Sequence, residues 1–90
     1  MVSRVEKAKL SVIDLKVEGA EIVRFTVNVW EGFGCMVKAT ADGYSRFVDA
    51  IAALGLDAEM HKYALLEESK LEPVYGYEVF IHVPVNWNGR

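Results

Sequence analysis

The chain has 90 residues, a formal net charge of −3, a pI near 5.3 and 52% hydrophobic residues. That length makes one domain, residues 1–90, near the small end of what folds without disulfides or metals. The single cysteine, Cys35, rules out an intrachain disulfide and fits a reducing compartment.

No apolar run approaches the roughly 18 residues a membrane span needs. The segment Met1-Val2-Ser3-Arg4-Val5-Glu6-Lys7 lacks the apolar core of a signal peptide, so a cytoplasmic protein is expected. Acidic groups collect in the second half, at Asp57, Glu59, Glu67, Glu68 and Glu72. Duplex nucleic acid is bound by Lys and Arg on phosphates, and this balance argues against it. Arg4, Lys7, Lys9 and Lys16 near the N-terminus read as a solvated strand edge.

Residues 1–8 read as an arm. From Lys9 to Val17 the residues alternate, with Ser11, Ile13, Leu15 and Val17 on one side, which predicts a half-buried strand. Glu18-Gly19-Ala20-Glu21 is a turn, with Gly19 free to take a positive φ. Ile22 to Trp30 is the strongest strand pattern, with Val23, Phe25, Val27 and Val29 toward a core. Glu31-Gly32-Phe33-Gly34 reads as a hairpin turn. As a phosphate cradle it lacks both a following helix and a Lys-Ser/Thr. Cys35 to Thr40 is a third strand.

Asp42 to Gly55 carries the only clear helical period. Tyr44, Phe47, Val48, Ile51 and Leu54 share one face, with Asp42 placed to cap and Gly55 to terminate. Met60 to Glu68 and Val74 to Val83 read as strands, the latter presenting Tyr75, Tyr77, Val79, Ile81 and Val83 on one face. Pro73 and Pro84 bound it. The tail carries Trp87, and a tryptophan in a short tail usually docks on its own subunit or a neighbour. The expected fold is α+β, an antiparallel sheet of about five strands with one helix on one face, in the order β-β-β-α-β-β.

The steps Ala41-Asp42-Gly43 and Val48-Asp49-Ala50 resemble, in layout, the regulatory domain of isopropylmalate synthases. The family's Gly-Pro step before its Asp-Ala is replaced by Tyr44-Ser45. The resemblance is an analogy of layout over one short stretch and implies no activity.

No catalytic motif decides for or against an enzyme. A hairpin centred between Leu71 and Glu72 would set His61 opposite His82, Tyr63 opposite Phe80 and Leu65 opposite Glu78. Two imidazoles with Glu78 and Glu67 nearby form an acid–base or metal-assisted group. Two unrelated histidines are the bland alternative, and a shift of one residue would part them. Cys35 reads as a buried small hydrophobe rather than a nucleophile. Trp30, Tyr63, Phe80, Tyr77, Tyr75 and Trp87 are candidates to line an aromatic site for a small apolar or aromatic ligand, with core packing the competing use. No metal site and no cofactor are expected.

Surface counting points to self-association. A helix about 18 Å long cannot cover a five-stranded sheet about 24 Å across. If the alternation holds, the far face carries Phe80, Trp30, Ile22, Leu10 and Val12. The expectation is a small self-associating module, a dimer or higher homo-oligomer, that uses a sheet face or subunit cleft for a small ligand or a protein partner. A small enzyme around His61 and His82 is the alternative.

Overall fold

The computed structural model describes residues 3–29, 31–68 and 71–89. Its chain begins with a helix, α1 (Arg4–Ile13), where a strand was expected from Lys9. Ser3 caps it: the Ser3 Oγ accepts a hydrogen bond from the Glu6 amide at 3.1 Å. Ser3 and Glu6 have the three-residue spacing of a capping box. Val5, Ala8 and Val12 are buried at i, i+3 and i+7, while Leu10 and Ile13 face outward. The helical stripe wins over the alternation because it buries three residues on one line.

The rest follows as β1 (Ala20–Val29), β2 (Gly32–Ala39), α2 (Ala41–Ala53), β3 (Asp57–Glu67) and β4 (Val74–His82). The fold is α+β, with four strands in the order β1-β2-β4-β3, every neighbouring pair antiparallel. This replaces the expected five strands and single helix. The order α-β-β-α-β-β is an α-β-β unit used twice, with β2 and β4 meeting at the centre. The glycine run predicted as a turn begins β2 instead, and Gly32 to Gly34 pair with His82 to Phe80. Expectations for Trp30 and for Ser69 and Lys70 lie outside the described residues.

Both helices cover the same face. Phe33, Cys35, Val37 and Ala39 of β2 and Tyr77, Val79 and Ile81 of β4 point toward them. They meet Val5, Ala8 and Val12 of α1 and Phe47 and Ile51 of α2. The predicted inward face of β4 is the observed one. In β1 the predicted alternation is broken by register shifts between Ile22 and Arg24 and between Phe25 and Asn28. Ile22 and Phe25 pack on the core, whereas Val23, Val27 and Val29 are exposed.

Thr40, not Asp42, caps α2, because Thr40 has the extended backbone the cap needs and its Oγ1 accepts from the Gly43 amide at 3.0 Å. Asp42 sits in the first turn, where its charge favours the helix N-terminus. Gly55 has φ 82° and ends the helix as expected. The loop before β1 closes on this helix start. The Thr40 amide donates to the Gly19 carbonyl at 3.2 Å, and Arg46 donates to the Glu18 carbonyl at 3.1 Å. A Cβ on Gly43 would run into the Gly19 carbonyl, so the two segments touch only because position 43 is glycine. Trp87 docks on its own subunit, its indole N–H donating to the Leu54 carbonyl at 2.6 Å.

Gly43→Ala should therefore destabilise the protein by about 1–3 kcal/mol, although alanine is the better helix former. Urea denaturation checks this. A rise in the midpoint would mean that the loop does not press on the helix.

Candidate functional sites on the two sides of the sheet

No helix among the described residues covers the opposite face of the sheet. On β2 it carries Gly32, Gly34, Met36 and Lys38; on β4 it carries Gly76, Glu78, Phe80 and His82. Thr26 and Val27 of β1 lie over Gly34, and Leu66 of β3 lies over Gly76. Charge is divided across this face. On the β1–β2 half, Glu21 pairs with Lys38 and Arg24 with Met36. On the β3–β4 half, Asp57, Glu59 and Glu67 join Glu78, with Lys62 the one basic group among the paired positions. The first half is the more basic and the second is acidic.

The predicted far-face set is only partly there. Phe80 is on the open face, but Ile22 and Val12 belong to the helix side, and Leu10 is an exposed residue of α1. Ile22 moved because the register shift after it starts a new alternation.

The histidines are not paired as expected. His82 lies opposite Asp57, Phe80 opposite Glu59, Glu78 opposite Lys62, and Tyr63 opposite Tyr77. His61 falls in the register shift between Met60 and Lys62, and a second shift separates Leu65 from Glu67. Each shift adds a residue to β3, and so displaces the pairing that a symmetric hairpin would give. His61 and His82 nonetheless line one depression of about 510 Å³ with Glu31, Asp57, Glu59 and Phe80. The His61 ring meets the Phe80 ring edge-on at 6.1 Å. Among the described residues no group of three or more His, Cys, Asp or Glu is placed to hold a metal ion. Glu78 pairs further along the strand and does not line this depression.

Four tyrosines gather on the helix side, where β3 and β4 run past the start of α2. Tyr44 of α2 stacks on Tyr77 at 3.9 Å between centroids and 13° between planes. Tyr63 stands edge-on to Tyr75 at 5.6 Å and lies 6.0 Å from Tyr77. With Ala41 and Met60 they line a cleft of about 380 Å³. Burial first, and then Tyr77 and Cys35, push the Tyr44 phenol above its ordinary value. Burial first, and then Tyr75 and Tyr63, do the same to Tyr77.

Of the candidate aromatics, Tyr63 and Tyr77 meet in this cleft with Tyr75, while Phe80 is on the opposite face and Trp87 is docked on Leu54. The sequence reading missed Tyr44 and Met60. Tyr44 was assigned to the packing face of its helix, and its place at the first turn, beside the end of the covered sheet, was the available signal. A further depression, about 570 Å³, lies between the α1–β1 connection and α2, lined by Leu15, Val17, Ile22 and Phe47 together with Lys16, Glu18 and Glu21.

Comparison with family models, with curated proteins and with solved structures found no match. No helix among the described residues is long and apolar enough to cross a membrane.

Cys35 is fully buried, and burial pushes its thiol from an ordinary 9.0 to about 12. Between those values the unfolded chain has lost the proton and the folded chain keeps it. Stability should fall as pH rises through that window, by up to about 1.4 kcal/mol per pH unit from this one group. Denaturation midpoints from pH 8 to 11 check this, and Cys35→Ala should flatten the slope. An unchanged slope in that variant would remove Cys35 as its source. The same burial predicts that native protein resists thiol alkylation and reacts only on unfolding.

Proposed function

We propose that the protein is a small self-associating binding module. The open face of its sheet joins two copies, and the tyrosine cleft on the other side receives a small apolar or aromatic ligand. One observation carries the reading: both helices lie on one face, leaving the opposite face of a four-stranded sheet without cover. That face is about 27 Å along the strands and about 19 Å across, or about 500 Å² projected per copy. Two copies bury about 1,000 Å², the threshold for a biological interface and the size of a weak, concentration-dependent one.

The division of charge favours a second copy as the occupant. A twofold axis parallel to β2 and β4 lays the half that carries Arg24 and Lys38 of one copy over the acidic half of the other. The same axis brings Phe80, which pairs with Gly34 in its own sheet, over Thr26 and Val27 where they cover Gly34 of the second copy. Joining through sheet edges is disfavoured, since β1 and β3 each carry two register shifts. A lone buried thiol supports a reducing, cytoplasmic setting.

Sedimentation equilibrium should give a dimer at micromolar concentration that weakens as salt rises. Phe80→Asp should yield a folded monomer. A wild-type monomer, or a dimer untouched by Phe80→Asp and by salt, would contradict this arrangement.

A second reading, a small acid–base enzyme, is favoured by His61, His82, Asp57 and Glu59 sharing one depression. Turnover of chromogenic ester or phosphate substrates, lost in both His61→Ala and His82→Ala but kept in Glu78→Gln, would support it. Turnover indifferent to either histidine would sink it.

A further inference from the structure

We infer that the tyrosine cleft binds the quaternary ammonium group of a small organic cation. The inference deepens the reading of this cleft as a ligand seat and rests on it.

The rings supply a negative surface. The centroids of Tyr63, Tyr75 and Tyr77 form a near-equilateral triangle with sides of 5.6, 6.0 and 6.1 Å. A cation about 4.5 Å above its centre would lie about 6 Å from all three centroids, at the outer limit of cation–π reach for any ring whose face it meets. The planes are inclined to one another by 77°, 34° and 53°, so no two of the three rings stack face to face. Tyr44 occupies the other face of Tyr77 and holds that ring in place. Met60 adds a polarisable thioether to the wall.

The surroundings select for positive charge. No Lys or Arg lines the cleft among the described residues, and Lys62 points to the opposite face. An adjoining depression shares Ala41 and Tyr75 with the cleft and is also lined by Asp42 and Glu72. An apolar wall suits a methylated ammonium better than a primary one, whose strong hydration would be lost. Asp42 at the rim disfavours a ligand whose cation is followed by a phosphate or carboxylate. That points to a free cation rather than a lipid headgroup.

NMR titration of the full chain with choline, and with its neutral isostere 3,3-dimethylbutan-1-ol, tests this. Choline should shift the tyrosine ring signals and bind at least about tenfold more tightly than the isostere. Tyr63→Leu should remove the preference, and Tyr63→Phe, which keeps the ring, should retain it. Tyr63 is 60% exposed, so both variants should fold, and circular dichroism checks that they do. Equal binding of the two probes would overturn the cation while leaving an apolar ligand in place. Binding of neither would overturn the ligand seat as well. Phosphatidylcholine vesicles should not retain the protein, and retention without any response to free choline would overturn the assignment to a free cation.

Discussion

The fold depends on packing along the two central strands. Phe33, Cys35, Val37 and Ala39 of β2 stand beside Tyr77, Val79 and Ile81 of β4, with Val83 just beyond, and all but Tyr77 are 1% exposed or less. These side chains are the floor on which α1 and α2 rest. In a strand, successive side chains point to opposite faces, so a row that is inward on one side fixes an outward row on the other. The β2–β4 pairing runs without a register shift from Gly32–His82 to Ala39–Tyr75. Once that row is buried under two helices, no helix among the described residues is left to cover Met36, Glu78 and Phe80, and Gly34 is covered only by Thr26 and Val27 of β1.

The outer strands obey a different constraint. They pair on one side only, and each is broken twice by register shifts. Shifts twist an edge and make it a poor template for another strand. In β1 they also turn Asn28 toward α1, where its side chain donates to Glu6 at 2.7 Å. In β3 they place His61 beside Phe80 and Leu66 over Gly76. The same strand runs past the cover of α2, which leaves Tyr63 and Leu65 more than half exposed and opens the tyrosine cleft. The overhanging ribbon results from short helices on long strands, and the open opposite face from both helices lying on one side.

Much of this was legible in the residues. The stripe of α2, the inward face of β4, the positive φ of Gly19 and Gly55 and the α+β class all follow from local period and turn chemistry. Three things did not follow. Helix α1 was hidden because Leu10 to Val17 also fits alternation, and the Ser3–Glu6 cap was the deciding signal. The faces of Val27 and His61 depended on register shifts, which no alternation pattern encodes. The tyrosine cleft joins α2 to β3 and β4, so its members are brought together by tertiary packing alone. Tyr75 and Tyr77 were visible as a pair, and Tyr44 was not.

A second copy on the open face is the central claim, and intermolecular contacts test it most directly. In a sample mixing isotope-labelled and unlabelled chains, filtered NOE spectra report only protons that are close between different copies. Cross-peaks between the Phe80 ring of one copy and the Thr26, Val27 and Met36 protons of another are predicted. Intermolecular cross-peaks confined to α1, α2 or the strand edges, or none at all at concentrations where the protein is dimeric, would contradict it.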